Sequence, residues 1–266
     1  ADGAGGLLEG RRFLITGVVN SESIAFASAA AAMRMGAQVA LTAFDRDRER
    51  TLAAASDLPG EVAMFDLDVT QPGQFGRLTA DLREHWGRLD GVLHAVAFAP
   101  RPALAGSFVD ADLESVQLAF ATSTYSYAAL AKVLSDLAPT SGGSIVGLDF
   151  DAAGAWPVYN WMGVCKAALE SVNRYVARDL GPSAIRSNLV AAGPLATRAA
   201  GGIPDFELLT SAWEQGAPME WDPTDSGPVA DTVCFLFSDL SRSITGEILH
   251  VDAGFHAMAA PLNKGT

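Results

Sequence analysis

The chain is poor in cysteine, lysine and histidine, and its acids well outnumber its bases. Two cysteines, Cys165 and Cys234, cannot build a disulfide framework. Cys234 lies in the apolar run Val233-Cys234-Phe235-Leu236-Phe237 and reads as a small core hydrophobe. The four histidines, His85, His94, His250 and His256, lack metal-ligand spacing; each reads as structural or surface, and no metal is expected. Eighteen Lys and Arg against 31 Asp and Glu leave a formal charge of −13. A nucleic-acid binder needs a basic footprint, and a peripheral membrane protein usually has one, so both are disfavoured. No uninterrupted apolar stretch reaches ~18 residues, and no apolar signal segment opens the chain. The chain therefore reads as cytoplasmic and reduced, without a membrane partner.

What is present is globular: 49% hydrophobic and 18% charged residues over 266 positions exclude disorder. Short apolar runs at 12–16, 38–42, 61–67, 91–96, 143–148, 185–191 and 247–251 predict strands. Between them, helical periods fall at 24–35, 45–56, 72–86, 110–119, 123–137, 159–180 and 229–240. Strands that alternate with crossover helices give a parallel sheet covered on both faces, with ligands at the strands' carboxyl ends. No repeat and no linker divides the chain, so one domain is expected. Residues 1–6 read as a flexible leader or a cloning remnant.

After the first strand, Gly17 and Val18 open a turn that reaches Ser23, Ile24 and Ala25 at a helix start. A pyrophosphate could sit there, although the usual G-x-G-x-x-G is missing. The stretch reads equally well as an ordinary turn capped by Ser23. Phe44-Asp45-Arg46 follows the second strand, where an acid suits a ribose hydroxyl and a free base a 2′-phosphate. Strictly alternating charges over 45–50 favour a solvated helix start instead. Asp68 and Val69, after the third strand, are placed for an adenine edge, or for turn chemistry with Thr70.

Gly147-Leu148-Asp149-Phe150 closes the fifth strand, and Tyr159 and Lys166 follow, seven residues apart. At ~100° per residue they share one helix face, about 10 Å apart along the axis. A phenol and an ammonium so placed can flank one ligand, the phenol donating to a developing oxyanion. The bland alternative is an interfacial Tyr and a snorkelling Lys. Tyr125 and Lys132 have the same spacing, so spacing alone decides nothing. Only Tyr159 follows a strand's carboxyl end, and Lys166 is one of three lysines in the chain.

Gly17 with Ser23-Ile24-Ala25, His94-Ala95-Val96-Ala97-Phe98-Ala99-Pro100, Asp149-Phe150-Asp151, Tyr159-x6-Lys166 and Val190-Ala191-Ala192-Gly193-Pro194-Leu195 together resemble the enoyl-acyl-carrier-protein reductases of type II fatty-acid synthesis. The likeness is closest to the mycobacterial and actinobacterial branch that includes the isoniazid target. It runs over about residues 7–258, and Gly163 removes the Tyr-x3-Lys pair of ordinary short-chain dehydrogenases. The resemblance implies a single doubly wound Rossmann-type domain with about seven parallel strands. It also implies a substrate lid at about 197–217, a tail at 259–266 and a homotetramer. The implied activity is NADH-dependent reduction of the 2,3 double bond of a trans-2-enoyl thioester on acyl carrier protein or CoA.

By the same resemblance, Tyr159 donates to the thioester oxygen, and Lys166 holds the nicotinamide ribose. Phe150, Phe98 and Met162 line the substrate. Gly17, Val18, Ser23, Ile24, Phe44, Asp68, Val69, Ala95, Val96, Ala97, Leu148, Asp149, Ala192, Gly193, Pro194, Leu195 and Thr197 contact the cofactor. Phe44 followed by Asp45 matches members that prefer NADH.

The departures are informative. Where the family has Ser-Ile-Gly-Phe, this chain reads Ala95-Val96-Ala97-Phe98, and the Ala97 methyl narrows the nicotinamide side. The segment from Thr197 to Trp213 is shorter than in the long-chain mycobacterial enzyme, which implies short or medium acyl chains. Between Arg198 and Arg242 stand eight acids and no base. An acidic carrier protein is repelled over that stretch, unless Arg46, Arg48 and Arg198 form a docking patch. A diverged reductase of a secondary pathway and a non-catalytic dinucleotide sensor are the alternatives; a sensor has no need of Tyr159 and Lys166 together.

Overall fold

The computed structural model describes residues 6–198, 200–203 and 205–260. Residues 1–5 of the expected leader, 261–266 of the expected tail, and Ala199 and Pro204 in the expected lid lie outside them. Gly6 already belongs to the fold, since its carbonyl accepts from Glu9 N and Leu8 N donates to Met35 O.

The apolar runs become seven parallel strands: β1 (Arg12–Ile15), β2 (Gln38–Ala43), β3 (Ala63–Asp66), β4 (Gly91–His94), β5 (Gly143–Asp149), β6 (Ile185–Ala192) and β7 (Ile248–Val251). Their order across the sheet is β3-β2-β1-β4-β5-β6-β7. The chain runs outward from β1 to β3, then returns to pair β4 with β1, Leu14 lying opposite Val92. That reversal opens the crevice above the carboxyl ends of β1 and β4, where such sheets take their ligands.

Helices cover both faces. Helix α1 (Ile24–Arg34) is alanine-rich and lies close against α9 (Gly227–Phe237) on one face, over Phe13, Ile15, Val39 and Leu41. Its start is capped as the sequence predicts: Ser23 Oγ accepts from Phe26 N at 3.1 Å. Helix α2 (Arg48–Ala55) is preceded by a 3-10 turn over Asp45–Asp47, so the helical period at 45–56 is served by two pieces. The other face carries α3 (Pro72–Trp86), α6 (Ser126–Leu137) and α7 (Asn160–Leu180), whose leucines pack on Leu14, Val92 and Ile145.

Two features differ from the sequence reading. A short helix, α4 (Arg101–Leu104), stands in an expected loop. Helix α5 (Leu113–Phe120) does not stop before α6; a π turn over Ala121–Tyr125 joins the two. Thr122, in the gap read between the two helical stretches, and Ser123 and Thr124, read as the start of the second, are all buried there, Ser123 bonded to the Phe98 backbone and Thr124 to Cys165 O. Within the segment expected as a lid, α8 (Glu207–Gly216) is helical. No described helix is long and apolar enough to cross a membrane.

Candidate active site

Apart from Lys166 on α7, the residues expected at the cofactor lie at the carboxyl ends of strands or in the segments that follow them, Ser23 and Ile24 at the start of α1. After β1, Gly17 has φ +82°, and a Cβ there would sit 2.0 Å from Ala95 O. Only glycine lets the β1 turn lie against the loop after β4. Thr16 stitches the two, its Oγ1 donating to Leu93 O at 2.9 Å and accepting from Ala95 N at 3.0 Å. Val18 is buried, its carbonyl accepting from Thr51 Oγ1 at 2.7 Å, so the turn is held from both sides. Ser23 and Ile24 present the N-terminus of α1 to the same crevice.

Phe44, just after β2, is exposed, and the Arg46 guanidinium lies 5.4 Å from its ring centroid. Arg46 also pairs with Asp47, and Arg48 with Asp66, both arginine side chains remaining open to solvent. Asp68 uses one carboxylate oxygen to accept from Thr70 N and Thr70 Oγ1, the turn chemistry weighed above. Its backbone N–H donates to Gln74 Oε1, and Val69 beside it is half-buried.

Beyond β4, Ala95 and Val96 are half-buried, while Ala97 and Phe98 are exposed at the crevice. The π turn fixes this loop: Ser123 Oγ accepts from Phe98 N at 3.0 Å and lies 3.1 Å from Phe98 O. His94 Nε2 lies 2.7 Å from Ser126 Oγ, whose hydroxyl donates to Thr122 O, so Nε2 carries the proton. Its Nδ1 is buried without a partner among the described residues. Burial, reinforced by Lys166, pulls the His94 pKa down to about 3, and the ring is neutral.

Tyr159 and Lys166 separate cleanly from the pair that shares their spacing. Tyr159 is 8% exposed and Lys166 5%, whereas Tyr125 is 55% exposed and Lys132 points to solvent, paired with Asp136. Lys166 is therefore no snorkelling surface residue. Its Nζ donates to Leu148 O at 2.8 Å, and burial pulls its pKa down. The Tyr159 hydroxyl makes no hydrogen bond with a described protein group, and burial pushes its pKa up. The Tyr159 carbonyl accepts from Met162 N, starting α7. Val158 and Asn160 on either side have φ +56° and +36°, left-handed values that are costly for non-glycine residues and recur at functional positions.

Asp149 ends β5 beside this pair. Both its carboxylate oxygens are buried without a described partner. Burial pushes its pKa up to about 7, against the pull of Lys166. Two unpartnered acceptors in a protein interior mark a place built for something else to donate.

Phe150 lies 5.1 Å from the Tyr159 ring, and Met162 packs in the same small cluster. Sequence reasoning missed the rest of the aromatic set: Trp156 and Trp213 also flank Phe150, and Phe255 stacks on Trp213 at 3.9 Å. Nothing in their spacing joins them; only the convergence of three segments does.

The β6 exit carries Ala192, Gly193, Pro194 and Leu195. A Cβ on Gly193 would meet Trp213 Nε1 and Trp221 at 2.8 Å, so the glycine admits both indoles. Pro194 O accepts from Trp221 Nε1 at 2.9 Å, and Leu195 is buried. Thr197 Oγ1 accepts from Ala200 N at 3.3 Å, at the start of a 3-10 turn over Ala200–Gly202. Among the described residues no His, Cys, Asp and Glu cluster could hold a metal.

This sheet order, with a buried Tyr and Lys on the helix after β5, defines a Rossmann-type protein of the short-chain dehydrogenase/reductase class. A family model described as enoyl-(acyl carrier protein) reductase matches residues 17–256. An NADH enoyl-acyl-carrier-protein reductase of Mycolicibacterium smegmatis is 43% identical over 265 residues, covering 94% of this chain and 97% of that protein. The Mycobacterium avium protein of that name is 43% identical over 263 residues, with the same coverage. One from Neisseria meningitidis is 40% identical over 253 residues, covering 94% of this chain and 96% of that protein. The chain belongs to the enoyl-(acyl carrier protein) reductase family.

Proposed function

We propose that this chain reduces the 2,3 double bond of trans-2-enoyl thioesters with NADH in fatty-acid elongation, acting on short to medium acyl chains. The observation that carries the reading is Tyr159, a buried residue whose hydroxyl makes no hydrogen bond with a described protein group, in the same crevice as the buried Lys166 and Asp149. The residues fit a dinucleotide: a glycine turn too close for any Cβ, a capped helix N-terminus, and orphaned acceptors at Asp149 and His94. When bound, NADH supplies a hydride to the β-carbon of the enoyl group.

The chain's own residues do the rest. Hydride addition at the β-carbon moves negative charge onto the thioester oxygen, and the Tyr159 hydroxyl donates to that oxygen as the charge develops. Burial keeps the phenol protonated, so it acts as a fixed donor. Lys166, anchored on Leu148 O, faces the nicotinamide ribose, where the Leu148 and Asp149 backbone adds further contacts. The turn after β1, with Gly17, Val18, Ser23 and Ile24, takes the pyrophosphate from one side and Thr197 from the other. Phe44 packs on the adenine, and Asp68 and Val69 meet its edge. Ala95, Val96 and Ala97 line the nicotinamide with Ala192, Gly193, Pro194 and Leu195, while Phe98, Phe150 and Met162 line the acyl group.

The substrate is an enoyl thioester on acyl carrier protein or CoA, and the acidic lid segment disfavours close docking of an acidic carrier there. Asp205, Glu207, Glu214 and Glu220, on and around α8, are all exposed and repel an acidic protein at low salt. A homotetramer in the cytoplasm fits the apolar side chains left exposed along α5, the π turn and α7, namely Leu118, Tyr125, Val164 and Tyr175. An NADH-oxidation assay with crotonyl-CoA tests the reading. Tyr159→Phe lowers kcat by about 10²-fold while NADH still binds, in the range for loss of one oxyanion donor. Tight NADH binding without turnover of any enoyl thioester would show a sensor instead.

A further inference from the structure

We infer that Trp156, Trp213 and Phe255 form the end wall of the acyl site and limit the length of chain it accepts. The inference rests on the reductase reading for the identity of the ligand, and on packing for the wall itself. The rings form one continuous body that begins at Tyr159: Phe150 lies 5.1 Å from Tyr159 and from Trp156, and 5.7 Å from Trp213. Trp156 lies 5.2 Å from Trp213 and 5.7 Å from Phe255, and Trp213 stacks on Phe255 at 3.9 Å with an interplanar angle of 11°. An acyl chain whose thioester meets Tyr159 and passes Phe150 therefore runs into three further rings.

The wall is anchored at several points. Trp213 is buried, and its Nε1 donates to Asp252 O at 3.0 Å. Trp156 Nε1 donates to Asp151 O. Two glycines make room for it: a Cβ on Gly193 would meet Trp213 Nε1 at 2.8 Å, and one on Gly216 would meet Phe255 at 2.7 Å. Stacked, hydrogen-bonded rings in a packed cluster do not swing aside cheaply, so added methylenes meet a fixed boundary. Trp156 is the half-buried member on a loop, and removing it opens the wall without removing the anchor at Trp213.

The test uses saturated acyl-CoA thioesters of 4, 8, 12 and 16 carbons, titrated by calorimetry into the NAD-loaded protein, alongside turnover of the matching trans-2-enoyl-CoA series. In the native protein, affinity rises to about C8 and then stops, because each methylene that finds apolar cover adds to binding and the wall ends the cover. In Trp156→Ala the rise continues, and the C12-to-C4 affinity ratio grows at least tenfold. Native affinity that climbs through C16 overturns the wall. So does a ratio within twofold of native in both Trp156→Ala and Trp156→Ala/Phe255→Leu, each confirmed folded by circular dichroism. If the chain-length profile of binding appears but no enoyl thioester turns over, the wall stands and the reductase reading falls.

Discussion

Lys166 Nζ donates to the carbonyl oxygen of Leu148 at 2.8 Å, tying the middle of α7 to the end of β5. The contact turns a helix side chain into a fixture of the crevice, next to the buried carboxylate of Asp149. Lys166→Ala removes the cation and leaves the Leu148 carbonyl without that donor. We expect NADH affinity to fall at least tenfold while the far-ultraviolet circular dichroism is retained. Affinity within twofold of native, measured by fluorescence titration of NADH, would remove Lys166 from the cofactor site.

Asp149 and His94 give the stability opposing pH dependences. Asp149 holds its proton up to about pH 7 in the fold, against 3.8 when unfolded, so its contribution is complete below 3.8 and is lost as pH rises to 7. His94 stays neutral down to about pH 3, against 6.5 when unfolded, so its contribution is present above 6.5 and lost as pH falls to 3. Asp149→Asn removes the first dependence and exposes the second. Its Tm relative to native protein therefore climbs from pH 4 to pH 7. A constant Tm difference in calorimetry across that range contradicts the assignment.

Val158, with φ +56°, holds a left-handed backbone that costs a β-branched residue roughly 1–2 kcal/mol. Val158→Gly relieves that strain, and we expect a higher Tm. The same freedom loosens Tyr159, so kcat falls while the KM for NADH holds. A variant with unchanged Tm and kcat would show that the strain neither costs stability nor positions the phenol.

Ala97 is exposed at the crevice, where the family resemblance implies glycine. Crowding a well-packed contact typically costs ~1–3 kcal/mol. Triclosan and related diphenyl ethers, which stack at that place in the family, are expected to bind Ala97→Gly about tenfold or more tightly than the native protein. Equal inhibition constants would show that the methyl does not obstruct.

The strands and most helices were legible because their periods are set by local burial, and each alternates cleanly with turn residues. The cap at Ser23 was legible because it needs only three residues. The joined α5 and α6 were not. The gap read at 120–122 closes in the structure, where the π turn holds Ser123 on the Phe98 backbone and Thr124 on Cys165 O. Spacing could not separate Tyr159 and Lys166 from Tyr125 and Lys132; burial does, and burial is a property of the whole sheet. The aromatic wall was invisible for the same reason, since Phe150 and Trp156 on the loop after β5, Trp213 on α8 and Phe255 after β7 come from three segments that meet only in the fold.

Reduction with NADH doubly deuterated at C4 tests the central claim most directly, with the product's label located by mass spectrometry. Saturated thioester carrying one deuterium at C3 and none at C2 is the predicted product, C2 taking its hydrogen from water. Unlabelled thioester, or label on a reduced carbonyl carbon with the double bond intact, would contradict the account.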